Sequence, residues 1–556
     1  VSGSALDTPM MRQYLAVKAR HPDAIVFYRM GDFYEMFLQD AERAAPLLDI
    51  ALTTRDKGKP DAVPMCGVPV HAADQYLGKL AAHGLRVAIC EQVEDPRSEG
   101  RRGLVRREVV EVVTPGLVGD PDRLEGAREL ALVAFWPGAE IGMAVLDAST
   151  GELRATESAA AADGTLPAAI RDELLRIEPR ELLVPRGAAQ WMELLARELP
   201  GVVCSEVDQA SYAPEPGDGG DASSRAAAAL LAYLSANQPF AVAQVAPLAR
   251  YALGETMLLD AATRGHLELF RNGEDGSRAR TLIERIDVTR TPLGARRLAR
   301  WLGYPLVDPE AIARRQEAVA WLADRDRPRA RLRDALKPVR DLERLLAKAA
   351  RPTATPRDLA QLRASLEALP GVVEALAAPD EERLADASAR PAELPLPAPL
   401  PELTGLLREA LVDDPPATPR GSRGALETGY IRAGFHAELD GVREAARKGR
   451  EWIAGLEASE RERTGIAALK IRHHPVHGYG IEVSKSLARR VPEDYERKQT
   501  LANAERYTTP ALREVEQKVQ GATARAAALE RELLERVRRS ALEHAEAIGA
   551  AARAVA

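Results

Sequence analysis

The sequence predicts a multidomain chain, mixed α/β in its first half and mainly α afterwards, with a small β-rich insertion in the helical part. Three observations carry this. At 556 residues the chain exceeds the roughly 250–300 residues that one core usually reaches. Short strand-like runs bounded by turn residues alternate with helical stretches up to about Glu255. Beyond it apolar residues recur at helical spacing, interrupted by a strand-like island at residues 471–483 that is rich in β-branched residues and holds Gly478 and Gly480.

Thr8-Pro9 predicts a helix start, because threonine supplies a capping acceptor and proline suits the first turn. Ala24–Met30 is short, apolar and aromatic, and reads as a strand. Gly31-Asp32 is a two-residue hairpin turn, and Phe33–Phe37 alternates as the returning strand. Residues 40–48 read as a helix disturbed by Pro46. A compact α/β region begins near Asp122. Residues 130–135 and 142–146 are strand-like, Ser149-Thr150-Gly151 is a turn signal, and helices follow. Residues 213–224 (APEPGDGGDASS) read as flexible. Residues 282–302, Pro309–Ala323 and residues 339–350 have helix-period spacing, and the proline-rich residues 391–401 read as a break or extended connector. Thr509-Pro510 starts a long helix, in which Leu512, Val515, Val519, Ala522, Ala526, Leu529 and Leu533 form a packing stripe at steps of three and four. A strand island between two long helical regions reads as a small domain inserted at the tip of a helical arm.

The formal net charge of −7 argues weakly against nucleic acid as a partner, unless basic residues are concentrated on one surface. No apolar stretch of the sequence is long enough to span a bilayer, and its opening residues are not expected to be a signal peptide. Cys66, Cys90 and Cys204 fit neither a zinc site nor a disulfide framework, so the expected setting is reducing and cytosolic.

Residues two apart in a strand share a face, so Phe33 and Glu35 project together while Tyr34 and Met36 turn to the core. An exposed Phe can wedge between base pairs and kink a duplex. A neighbouring Glu can hydrogen-bond a base edge, best when protonated opposite a nitrogen acceptor. The same pattern is met by an ordinary half-buried hairpin with Phe33 in the core. The island carries a second candidate site: Lys470, Arg472, Lys485, Arg489, Arg490, Arg497 and Lys498, suited to phosphates without reading sequence. Glu482 is the only acid within residues 470–490, while Glu493, Asp494 and Glu496 dilute the patch. His473, His474 and His477 lack the accompanying Cys or carboxylates of a metal site. Asp147 at a strand end, with Glu140 and Glu152, is a candidate nuclease centre, but nothing in the spacing brings the three together, and Asp147-Ala-Ser-Thr-Gly reads more simply as a turn.

Several blocks then point to one family. Thr8-Pro-Met-Met-Arg-Gln-Tyr14, Phe27-Tyr-Arg-Met-Gly-Asp-Phe-Tyr-Glu35 and Pro64-Met-Cys-Gly-Val-Pro-Val-His-Ala72 resemble the N-terminal domain of bacterial MutS proteins. The resemblance continues through Ile89-Cys-Glu-Gln92, Val113-Thr-Pro-Gly116, Leu259-Asp-Ala-Ala-Thr-Arg264, Thr291-Pro-Leu-Gly294 and Trp301-Leu302. It extends through Asp341-Leu-Glu-Arg344, Pro356-Arg-Asp-Leu359, His477-Gly-Tyr479 and Asn503-Ala-Glu-Arg-Tyr507, covering nearly the whole chain in the family's order.

The resemblance implies a mixed α/β mismatch-binding domain at residues 1–112 and a ribonuclease-H-like connector at 122–254. It implies a helical core and lever at 255–449, a β-rich clamp at 450–509, and a lever helix returning to the core at 510–556. It assigns Phe33 to stacking at the mismatch, Glu35 to the mispaired base, and the basic island residues to the DNA backbone. The implied partners are double-stranded DNA with mismatches or small loops, a second copy held weakly here, and a downstream repair factor of the MutL type. The implied location is the cytoplasm, at the nucleoid. Full-length relatives use ATP and Mg, but no G-x-x-x-x-G-K-[ST] loop occurs in this sequence, and Lys57-Gly-Lys-Pro lacks its spacing. The expectation is a chain that ends before the ATPase domain, needs no cofactor and is not itself an enzyme. Two other classes stay open: a helical interaction scaffold without mismatch discrimination, and a metal-dependent nuclease that Asp147→Ala would silence.

Overall fold

Thr8 Oγ1 accepts the Met11 amide at 3.3 Å and Pro9 occupies the first turn, so the chain's first helix runs Pro9–Arg20. The structure, a computed structural model, describes residues 8–55, 62–93, 105–117, 129–214, 220–377, 390–416, 429–474, 478–500 and 503–556. The described chain divides into two units, residues 1–404 with 540–556, and residues 405–539.

In the first unit, β1 (Ala24–Met30) and β2 (Phe33–Phe37) form the expected hairpin. With β3 (Thr53–Arg55), β4 (Val63–Pro69), β5 (Arg86–Gln92) and β6 (Arg107–Val113) they build a mixed sheet of order β3-β4-β2-β1-β5-β6. Only the β1–β5 pairing is parallel. Each face has its own core. Phe27, Tyr34 and Met36 pack with the helices Leu38–Leu48 and Ala73–Ala82, while Tyr14, Tyr28 and Phe37 pack on the other side with the first helix. The disturbance expected at Pro46 is absent, and the helix runs through it to Leu48. Pro46 lies in the last turn, where a missing N–H removes a single bond.

The second sheet joins β7 (Ala131–Trp136), β8 (Glu140–Asp147), β9 (Glu152–Ala159), β10 (Glu181–Pro185), β11 (Val203–Val207) and β12 (Ala249–Arg250) in the order β11-β10-β7-β8-β9-β12. β7, β8 and β9 are an antiparallel meander, and β10 and β11 lie parallel beside β7. Helix Ala222–Asn237 covers one face, and Ala168–Ile177 with Ala189–Glu198 covers the other. Part of the stretch read as flexible is therefore helical. Asp221 Oδ1 caps that helix by accepting the Ser224 amide at 2.7 Å, so its Asp and Ser content serves capping. Residues 215–219 lie outside the described residues.

The helical region also departs from its expectation. Residues 282–302 form two helices, Leu282–Ile286 and Pro292–Gly303. Asp287 folds the intervening link by accepting from Thr289, and Thr291 caps the next helix through the Gly294 amide at 3.0 Å. A Thr-Pro start signal inside the periodic run overrides it. Asp341 likewise caps Leu342–Ala350, which starts later than the spacing predicts, and helix Ala545–Val555 packs against it. Pro401 opens helix Pro401–Ala410 after an irregular connector.

In the second unit, helix Ala437–Thr464 leads into a four-stranded antiparallel sheet from which helix Pro510–Glu543 departs. The sheet comprises β13 (Lys470–His474), β14 (Gly478–Ser484), β15 (Glu496–Thr500) and β16 (Ala504–Thr508), in the order β13-β14-β16-β15. The expected stripe is buried at Leu512, Val519, Ala526, Leu529 and Leu533, with Val515 and Ala522 partly covered. Gly449 lets the two helices touch, since a Cβ there would lie 2.3 Å from Val519 Cγ2.

Candidate nucleic-acid interface

Phe33 is the first residue of β2, directly after the two-residue turn. Met30 pairs with Phe33, and Gly31 takes φ +60°, a conformation glycine adopts without strain. Along β2 the burial alternates as expected at first: Phe33 is 47% exposed, Tyr34 is 3%, Glu35 is half-buried and Met36 is sealed. Phe37 shares the face of Phe33 and Glu35 but is buried against Tyr14 and Tyr28. The face is thus anchored at one end and open at the other, where Phe33 is exposed.

Strand β4 flanks this face, with Pro69 opposite Phe33 and Gly67 opposite Glu35. Gly67 has no side chain to cover the carboxylate, and a Cβ there would sit 3.3 Å from the Tyr34 carbonyl oxygen. Burial holds the Glu35 carboxyl above its ordinary range, opposed by the positive charges of Arg55 and Arg107. Burial therefore makes this carboxyl hold its proton more readily than an exposed glutamate does. Sequence reasoning missed Gly67 and Pro69 as neighbours, because two prolines in a seven-residue strand argue against a strand inside a sheet.

The hairpin is braced from both faces. Below the turn, Arg29 Nε donates to the Gly31 carbonyl at 2.6 Å and Nη1 meets Glu91 at 3.0 Å, with the guanidinium 5.5 Å from the Tyr34 ring centroid. Tyr34 Oη also donates to Glu91. Above it, Arg107 reaches from β6 to the Arg29 carbonyl at 2.7 Å and lies over the Tyr28 ring at 4.9 Å.

The structure sorts the second candidate set. Lys485, Arg489 and Arg490 sit on a short 3-10 turn after β14, exposed and without an ion pair among the described residues. Lys470 at the start of β13 is equally exposed. Arg472, Arg497 and Lys498 instead lie near carboxylates, at 3.6 Å from Glu482, 3.7 Å from Glu505 and 3.4 Å from Glu516. Acids that dilute the patch in sequence are engaged elsewhere, Asp494 with Arg463 and Glu496 with Arg513. Arg506, which the sequence did not single out, is buried across Gly480 and pairs with Glu482 at 2.9 Å.

Of the remaining candidates, Asp147 and Glu152 lie opposite each other across β8 and β9, and Glu140 lies apart. Asp147 is buried at the end of β8, where its Oδ1 accepts from the Ser149 amide at 2.9 Å and hydroxyl at 2.7 Å. That is a side-chain-capped turn. Burial, then the charge of Glu129, pushes its carboxyl up to about 6, against the Ser149 bonds. Glu140 begins β8 and pairs with Ala159, at the opposite end of the strand from Asp147. Glu152 pairs with Arg300 at 2.5 Å. His473 packs edge-on to Tyr479 at 4.8 Å, and His477 and Lys57-Gly-Lys-Pro lie outside the described residues. Among the described residues no group of three or more His, Cys, Asp and Glu is placed to hold a metal, and no helix is long and apolar enough to cross a membrane.

Comparison with known proteins locates these features in a family. The profile of MutS domain I matches residues 8–122, and that of MutS domain III matches residues 262–556. The DNA mismatch repair protein MutS of Myxococcus xanthus (strain DK1622) is 43% identical over 99% of this chain and 62% of its own length. Those of Symbiobacterium thermophilum (41%, over 99% of the chain and 63% of the relative) and Methanothrix thermoacetophila (40%, over 98% and 62%) align similarly. The chain therefore spans about 62% of the length of the curated relatives it matches. With one family profile covering more than half of it and relatives at this identity along nearly all of it, the chain belongs to the MutS family of DNA mismatch repair proteins.

Proposed function

We propose that this chain recognises mismatched or unpaired bases in double-stranded DNA, with Phe33 inserted as a wedge that kinks the duplex. One observation carries the reading: a Phe ring is left 47% exposed at the tip of a hairpin whose next apolar residues are sealed. A mispair stacks poorly, so opening and bending the duplex there costs less than at paired DNA. Glu35, whose carboxyl burial holds above its ordinary range, donates in its protonated form to a base nitrogen beside the ring.

The finer assignments follow the same reading. Residues 1–112 are the mismatch-binding domain and residues 122–254 the connector. An antiparallel meander followed by two parallel strands beside its first strand supports a ribonuclease-H-like connector. Residues 255–449 form core and lever, residues 450–509 a clamp, and residues 510–556 the helix returning to the core. Lys470, Lys485, Arg489 and Arg490 are the clamp residues best placed for phosphates, with Arg472, Arg497 and Lys498 contributing once their carboxylates yield them. The partners are mismatched duplex DNA, a second copy of the chain and a MutL-type factor, in the cytoplasm at the nucleoid. The ATP and Mg of the longer relatives find no phosphate loop in this sequence, and no step of the reading runs through them. The chain itself acts as a binder, not an enzyme.

The test is binding to a duplex with one G·T pair or one unpaired base, against its paired control at fixed salt. Phe33→Ala is expected to lower the mismatch preference roughly tenfold or more, on the scale of one base–aromatic stack, and to leave nonspecific binding largely intact. Equal weakening on both duplexes, or no change, would point to a scaffold without discrimination.

A further inference from the structure

We infer that Arg107 is a positioning residue for the wedge, fastening the strand pair that presents Phe33 and Glu35 through the Arg29 carbonyl and the Tyr28 ring. The inference rests on the wedge reading above and goes beyond it, because no match to the family's Phe-x-Glu pair assigns Arg107 anything.

The geometry is unusual for an arginine. The residue is 6% exposed and forms no ion pair among the described residues. Its Nε donates to the Arg29 carbonyl at 2.7 Å, and its Nη1 to the Val105 carbonyl at 2.9 Å and to Gln13 Oε1 at 3.4 Å. Nη2 lies 3.4 Å from Met30 Sδ, and the plane covers the Tyr28 ring. A buried guanidinium whose hydrogen bonds all go to uncharged partners carries a desolvation cost that an aliphatic side chain of similar size would avoid. Its fork is directed at the end of β1, beside the turn. Arg29, whose carbonyl it holds, itself donates to the Gly31 carbonyl in that turn at 2.6 Å. A continuous line of hydrogen bonds thus runs from Gln13 on the first helix, through Arg107 and Arg29, to the residue two places before Phe33. Fixing the hairpin before DNA arrives lowers the ordering cost of inserting the ring.

The same charge acts on Glu35. The groups facing that carboxyl are Arg55 from β3, Arg107 from β6 and the cross-strand Tyr28 of β1, whose hydroxyl burial pushes up to about 12. β4 contributes Gly67, with no side chain. Burial raises the Glu35 carboxyl and the two arginines lower it, so removing Arg107 raises it further.

The experiment compares the whole chain with Arg107→Met, Arg107→Lys, Glu35→Gln and Phe33→Ala on a G·T duplex and its paired control, across acid to neutral pH and several salt concentrations. Arg107→Met is expected to lower the mismatch preference roughly tenfold, comparable to the loss of one well-placed hydrogen bond to a charged group. It should also shift the pH midpoint of that preference upward and speed amide exchange at Asp32 and Phe33. Arg107→Lys, keeping the charge but losing the fork, should hold the midpoint and lose part of the preference. Glu35→Gln should remove the pH dependence. An unchanged preference and unchanged hairpin exchange in Arg107→Met overturns the inference. So does a salt slope lower by about one with the preference intact, which marks a phosphate contact. Should Arg107→Met fail to fold, Arg107→Lys decides, and wild-type preference and exchange in that variant overturn the inference. If Phe33→Ala itself leaves the preference unchanged, the wedge reading fails. If Phe33→Ala lowers it and Arg107→Met does not, only the role of Arg107 fails.

Discussion

Phe33 and Asp147 illustrate how differently neighbouring chemistry is set by environment. Strand alternation put Phe33 and Glu35 on one face, but it left open whether that face was core or solvent. The same alternation includes Phe37, which is sealed. Tertiary packing separates the two: Tyr14 of the first helix packs against Phe37, which is sealed, while Phe33 stays exposed. Asp147 was legible as a turn residue, and its two bonds to Ser149 are local. Its burial was not legible, and burial raises its carboxyl to about 6 from an ordinary 3.8. The sign follows from linkage. The folded chain holds this proton more tightly than the unfolded chain, so the stabilisation is complete below the unfolded value and is lost as pH rises through about 6. Asp147→Asn keeps an acceptor for Ser149 and removes the ionisation. It should melt higher than the parent above that pH, by an amount equivalent to at most about 3 kcal/mol, with the difference shrinking in acid. A difference independent of pH would contradict the assignment.

At the level of elements, the long stripe of Pro510–Glu543 was read correctly as a packing surface, yet two of its buried members are carboxylates that no apolar count selects. Glu516 fills the space beside Gly478, where a Cβ would lie 1.7 Å from its Oε1, and accepts the Tyr479 amide at 2.6 Å. Glu530 is fully buried and accepts the Gly429 amide at 2.9 Å and the Arg443 guanidinium at 2.6 Å, with the Tyr430 amide at 3.3 Å. It ties the segment preceding helix Ala437–Thr464 to the returning helix. Removing it leaves two amides without this acceptor and Arg443 with only the Ile431 carbonyl and Asp440, a change of about 2–4 kcal/mol. Glu530→Ala should therefore speed exchange of the Tyr430 amide by roughly a hundredfold, read by hydrogen exchange. Unchanged protection there would mean that the helix contacts alone hold this segment. The split of residues 282–302 teaches the converse: a strong local start signal at Thr291-Pro292 overrides a periodicity that looked continuous.

For the whole molecule, the proposed reading places discrimination and affinity in different units, the hairpin in residues 1–404 and the basic sheet in residues 405–539. Each can then be altered without the other. The triple change Lys485→Ala, Arg489→Ala, Arg490→Ala removes exposed cations that no carboxylate engages among the described residues. If all three meet phosphates, the slope of log affinity against log salt falls by roughly 0.9 for each, on matched and mismatched duplexes alike. Arg472→Ala should change the slope less, because Glu482 already partly neutralises that cation. A selective loss on the mismatched duplex would show that the sheet takes part in discrimination after all.

Sequence by itself determined the alternation of strand and helix, the hairpin and its turn, the packing stripe and, through ordered motifs, the family. These depend on residues close in the chain, where periodicity, caps and turn glycines act over a few positions. Tertiary structure decided which end of the Phe33–Phe37 face of β2 meets solvent, which basic residues are already engaged, and that Glu152 lies opposite Asp147 but is tied to Arg300, with Glu140 at the far end of β8. Burial and charge pairing arise between residues far apart in sequence, as when Arg107 holds Arg29 or Arg506 meets Glu482, and no local pattern encodes which distant groups will share a place.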